Sequence, residues 1–183
     1  CSFLTLCVCV RHMYIHRSSA TEFSQFCQII MTAETKLVDV LCTYLPNEFR
    51  GVYPSHQFRD RLVNDLGWNP NATNCLIFKT TTYWGIRFSS VYQKANGSIE
   101  FFDPWGKDPH ADVADFFYQN NLDWDVVNSH YLLPRKSPHS AAFCAYYLIN
   151  RASTPNPKIV LAEFGDNLQK NTTNLLSYMP LFL

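Results

Sequence analysis

Three consecutive blocks decide the fold class: Tyr83-Trp84-Gly85-Ile86-Arg87-Phe88-Ser89-Ser90-Val91-Tyr92, then Ala95-Asn96-Gly97-Ser98, then Ile99-Glu100-Phe101-Phe102-Asp103. The first is rich in aromatic and β-branched side chains, which fit a pleated, half-buried surface. Asn96-Gly97 is a strong hairpin signal, because tight hairpin turns need residues that tolerate positive φ. The third block therefore returns antiparallel to the first. Cys75-Leu76-Ile77-Phe78 reads as a further short apolar strand, and Trp124-Asp125-Val126-Val127 as another.

Helical spacing surrounds these strands. Leu37, Val38, Leu41 and Leu45 recur near a 3.6-residue period. Phe49 to Pro54 reads as a compact loop, and Ser55 as the cap of a helix from His56 to Asp65 that ends before Gly67. Asn69-Pro70-Asn71 is a turn. Val113 to Asn120 is amphipathic, with Val113, Phe116 and Phe117 on one face. Ser140 to Ala152 mixes small and aromatic residues, with Ser137 or Ser140 as its N-cap, and Pro155 and Pro157 stop it. Ile159 to Phe182 holds one or two further helices. Helices flanking a small sheet, mixed or mostly antiparallel, make an α+β domain.

The chain has 183 residues, 47% of them apolar and 16% charged, enough for one domain with a sizeable core. Fifteen basic residues balance fifteen acidic ones, which removes the usual electrostatic argument for nonspecific nucleic-acid binding. Seven cysteines, an odd number crowded toward the start, argue for free thiols in a reducing compartment. Cys7-x-Cys9 has the wrong spacing for a zinc knuckle, so no metal and no cofactor is expected. The apolar run Cys1 to Val10 is too short to span a bilayer and has no basic residue before it. Residues 1–30 are expected to be a leader or upstream-translated stretch, with the domain running 31–183. The expected location is intracellular or virion-associated, with no membrane partner and no secretion.

Two places could carry chemistry. Asp103 ends a strand at a Pro- and Gly-containing turn. Its bland role is to hold nearby backbone N–H groups. The start of the Ser140 helix favours a thiolate or oxyanion through its dipole, and Cys144 lies within the first turn or so. The bland role of Cys144 is that of a small buried apolar residue.

The blocks Phe49-Arg50-Gly51-Val52-Tyr53-Pro54, Tyr83 to Phe88, Phe101-Phe102-Asp103-Pro104-Trp105-Gly106 and Ser137-Pro138-His139-Ser140-Ala141-Ala142-Phe143-Cys144-Ala145-Tyr146-Tyr147 occur in this order. Together they resemble the adenovirus-type (adenain-like) cysteine proteases, above all those of Maverick/Polinton elements and related DNA viruses. The tail Phe164 to Asn171 shares the resemblance, which runs from about Leu37 to Leu176. It implies a papain-related α+β fold with a catalytic order His, Asp or Glu, Gln, Cys. In such a site His takes the thiol proton, the carboxylate orients His, and the Gln with a backbone amide supports the oxyanion.

Position by position, the resemblance implies a degenerate site. Asp103 stands at the acidic position. Tyr83 stands at the His position, followed by Trp84 in the substrate groove. Phe143 stands at the Cys position and Cys144 at the Gly after it. The Gln position falls near Lys136, which with Ser140 also lines the groove. Tyr is a poor base near neutral pH, with an unperturbed pKa of about 10, and Phe has no nucleophilic atom. The expectation is a protease-fold protein without chemistry, holding an extended peptide or a viral structural protein. One alternative is an active endopeptidase that uses Cys144 after a one-residue shift, with His56, His110, His130 or His139 as base. Another is a nucleic-acid-associated protein, DNA being a partner by family resemblance alone.

Overall fold

The computed structural model describes residues 33–69 and 71–182. The leader reading of residues 1–30 and the Cys7-x-Cys9 spacing lie outside them. Residues 33–44 form helix α1. Strands β1 (Phe49–Pro54), β2 (Asn74–Thr82), β3 (Gly85–Gln93), β4 (Ile99–Phe102) and β5 (Trp124–Val126) follow, with α2 (Ala111–Gln119) between β4 and β5. Helices α3 (Ser140–Ser153), α4 (Pro157–Val160) and α5 (Leu168–Tyr178) complete the order.

The five strands make one sheet in the order β1-β2-β3-β4-β5. The two inner pairings are antiparallel and the two outer ones parallel, so the sheet is mixed. The hairpin predicted at Asn96-Gly97 is present. Ser90 pairs with Phe102, Lys94 N–H donates to Ser98 O at 2.9 Å, and Gly97 takes a φ of 90°.

Both faces of the sheet are covered, which explains its near-continuous apolar strands. Cys75 and Ile77 of β2, with Phe88, Tyr92 and Phe102, pack into one cluster with α1, α3 and α5. The alternate residues Leu76, Phe78, Val91 and Phe101 pack into a second cluster with Val113, Phe116 and Phe117 of α2. Helix α3 is buried over most of its length, and its small Ala141, Ala142 and Ala145 let its backbone approach the sheet.

Two local expectations fail. Phe49 to Pro54 is not a loop: it pairs parallel with β2 at the sheet edge, a place that tolerates Pro54. His56 to Asp65 is not a helix but two short 3₁₀ turns, Ser55–Gln57 and Val63–Leu66. Tertiary partners capture the backbone there. Asn120 accepts from Val63 N–H at 3.2 Å and donates to Arg61 O at 3.3 Å. Phe58 packs edge-on against Phe116 at 4.7 Å, and Arg59 pairs with Asp115 at 2.7 Å. Gly67 still closes the second turn with a φ of 61°.

Candidate functional site

A pocket of about 270 Å³ opens beside the start of β3. Thr82, Trp84, Arg87, Trp105, Lys107, Tyr131 and Arg135 line it. Three pieces of chain build it. The β2–β3 hairpin supplies Thr82, Trp84 and Arg87, the loop after β4 supplies Trp105 and Lys107, and the loop leading to α3 supplies Tyr131 and Arg135. Ser140, at the head of α3, accepts from Phe88 N–H at 3.2 Å and fixes that helix end beside Arg87.

The two loops are tied together. Leu132 N–H donates to Pro104 O at 2.8 Å, Trp105 Nε1 to Pro134 O at 3.2 Å, and Asn128 Nδ2 to Asp103 O at 2.7 Å. Gly106 has a φ of 58°, and a Cβ there would meet the His130 backbone at 2.5 Å. Only glycine meets both conditions.

Asp103 is fully buried. Its Oδ1 accepts from Trp105 N–H at 2.7 Å, and its Oδ2 faces Arg87 Nε at 3.0 Å. Neither Oδ2 nor Nε makes an aligned hydrogen bond. Burial pushes the carboxyl from 3.8 up to about 6, against the opposing pull of Arg87 and of the Trp105 and Lys107 backbone N–H groups. The partner of the acidic residue is therefore a guanidinium, which carries no lone pair for proton abstraction.

Tyr83 occupies the exposed tip of the two-residue β2–β3 turn, 85% exposed, with its ring edge-on to Trp84 at 4.7 Å. The strand expected over Tyr83 to Tyr92 begins only at Gly85, and Tyr83 and Trp84 form the turn before it. Trp84 is 55% exposed, and Lys136 Nζ sits 4.7 Å from the centroid of its ring. Phe143 is fully buried, with its ring 4.6 Å from Phe164 and 5.6 Å from Phe102.

Cys144 is also fully buried. Burial drives its thiol well above the ordinary value of 9.0, and the Asp103 charge adds to this. The Ser90 hydroxyl and Arg87 oppose the shift and do not cancel it. The sulfur is a neutral thiol near pH 7 and is sealed from solvent. His139 precedes α3, and burial holds its imidazole below the usual value. Among the described residues no group of three or more His, Cys, Asp or Glu could hold a metal ion, and no helix is long and apolar enough to cross a membrane.

The structure thus brings Trp84 and Lys136 together, and places Asp103, Cys144 and the head of α3 around Arg87. It leaves Tyr83 on the surface and Phe143 in the core. Sequence reasoning missed the meeting of Arg87, Lys107, Tyr131 and Arg135 in one pocket. For Arg87 a signal existed: continuing the β3–β4 register from Ser90–Phe102 carries Arg87 back alongside Trp105, next to Asp103. The other three come from loops, whose meeting no periodicity records.

No protein-family model matches the sequence, and no curated protein does. Among solved structures, the chain is similar to the central domain of the uncharacterized protein Lpg1148 from Legionella pneumophila, at 12% identity and a TM-score of 0.41, covering 74% of this chain and 88% of that one. It is also similar to AvrA in a structure with IP6 and CoA, at 12% identity and a TM-score of 0.46, covering 91% of this chain. The match spans 61% of the AvrA chain.

Proposed function

We propose that this is a papain-related, adenain-like protease domain that has lost its chemistry and keeps its cleft as a groove for extended peptide. The observation that carries the reading is the pairing of Asp103 with Arg87 at 3.0 Å, where an active site of this type needs an imidazole. Arginine stays protonated in proteins and cannot accept the thiol proton. The buried, neutral Cys144 and the apolar Phe143 support the same reading from the nucleophile's side. Since triad members act as a unit, losing base and nucleophile together removes the covalent route. The order of the four resembling blocks supports the family, and a segment of a viral structural protein is the partner that family offers.

The test is labelling with a peptidyl vinyl sulfone, followed by mass spectrometry and a peptide-cleavage assay. Native protein should leave Cys144 unmodified and cleave nothing, while unfolding in urea should expose the thiol. Stoichiometric labelling of Cys144 in the native state together with cleavage would overturn the proposal.

A further inference from the structure

The pocket has a chemical character that loss of catalysis does not explain. Its rim carries Arg87, Lys107 and Arg135 interleaved with Trp84, Trp105 and Tyr131. The carboxylate that faces Arg87, Asp103, is fully buried. Among the described residues, Lys107, Arg135 and Lys136 have no carboxylate within ion-pair reach. Instead they lie against aromatic rings: Lys107 Nζ and Arg135 Cζ are each 5.4 Å from the Tyr131 centroid, and Lys136 Nζ is 4.7 Å from that of Trp84. Such contacts hold the cations in place at the pocket without neutralising their charge. The Tyr131 phenol is lowered from its ordinary value, first by hydrogen bonding to Lys107 and, against desolvation, by the charges of Arg135 and Lys107.

We infer that this pocket takes the acidic side chain, carboxylate or phosphate, of an extended peptide, with Lys107 and Arg135 as the charge-reading residues and Trp84 as an exposed apolar platform. The inference rests on the peptide-groove reading and names what the groove selects. Size supports a side chain as occupant. About 270 Å³ lies below the roughly 300–1,000 Å³ of typical small-molecule sites. Charge distribution favours peptide over nucleic acid. Three cations line one small pocket on a chain of zero net charge, which lacks the basic excess that a phosphate backbone draws on. Arg135 and Lys107 can form charge-assisted bonds to a planar carboxylate or a phosphate, roughly twice as strong as neutral ones.

The experiment titrates the full chain with three ten-residue peptides that differ only in a central Glu, phosphoserine or Gln, read by tryptophan fluorescence and checked by calorimetry. The Glu and phosphoserine peptides should bind at least about tenfold more tightly than the Gln peptide, with affinity falling as salt rises. The double variant Lys107→Glu, Arg135→Glu should abolish that preference. The Arg135→Lys variant, as a folded control, should keep most of it. Equal binding of all three peptides, unchanged in the double variant, would overturn the acidic preference and leave the peptide groove standing. Binding of none would overturn the groove reading and the inference with it. A ten-nucleotide single strand that binds more tightly than the acidic peptides, and is lost in the double variant, would overturn the assignment to peptide.

Discussion

Two buried arginine–carboxylate pairs, both anchored on the β3–β4 hairpin, are built to different standards. At the first, Glu100 receives Arg151 Nε at 2.7 Å and Nη2 at 3.0 Å, the Tyr147 hydroxyl at 2.8 Å, and Lys94 Nζ at 2.8 Å. Arg151 also donates to Thr154 O and lies 4.8 Å from the Tyr92 ring centroid. Burial alone would raise the Glu100 carboxyl, but its hydrogen bonds outweigh that and hold it below the ordinary 4.5. At the second, Asp103 meets Arg87 at one distance of 3.0 Å without alignment, and burial wins. The first pair fastens α3 to the sheet, with every lone pair in use. In the second, Arg87 lines the pocket while Asp103 is fully buried beside it, and the pair is held less tightly. The pair that ties helix to sheet is saturated, whereas the pair beside the pocket keeps spare capacity.

The largest effect expected from breaking this contrast is at Arg151. Arg151→Met strands a buried carboxylate and should cost about 3–5 kcal/mol in urea unfolding. Arg87→Met should cost less, about 1–3 kcal/mol, because Asp103 can answer by taking up a proton. Equal losses would erase the distinction.

The pH dependence sharpens the same comparison, since the two carboxyls shift in opposite directions. Asp103 titrates near 6 when folded and near 3.8 when unfolded, so the native state holds the extra proton between those values. Stability therefore falls as pH rises from about 4 to 6, by about 3 kcal/mol from this group, and is flat above. Glu100 has the reverse sign: its contribution is present above 4.5 and is lost as pH falls through its lowered folded value. Chemical denaturation at half-unit pH steps should show the Asp103 slope in the wild type and its loss in Asp103→Asn.

A smaller loss is expected where the two pocket loops touch. Gly106→Ala combines a left-handed backbone with a clash against His130 and should cost about 2 kcal/mol, read as a lowered Tm. Smallest of all is Tyr83→Ala at the exposed turn tip, expected within about 0.5 kcal/mol of wild type. A loss above 2 kcal/mol there would mean that Tyr83 belongs to the site after all.

What could be read from the residues divides along the same line as the two pairs. Local patterning reported β3, β4 and their hairpin, and the buried face of α2, because each depends on neighbours in sequence. It failed at His56 to Asp65, where Phe58, Arg59 and Asn120 make contacts that outbid a weak helical signal. It missed β1, since an edge strand pairing parallel with a distant partner can carry Gly51 and Pro54. Asp103 was legible because a strand ends on it, but its partner was sought at Tyr83, whose side chain points to solvent. Lys107, Tyr131 and Arg135 meet only after two loops have been stapled together, a fact of tertiary structure alone.

The packing of Phe143 makes this stretch of helix hard to rewrite. Its ring is wedged between Phe102 and Phe164, inside a helix with buried residues all along its first nine positions. Placing cysteine at that position would open a void in the interior and aim the new sulfur at hydrocarbon. Turning the helix by the roughly 100° that separates adjacent residues would bring up Cys144 only by unseating its neighbours. A single substitution at position 143 therefore yields a thiol shut inside the core rather than one open to a cleft.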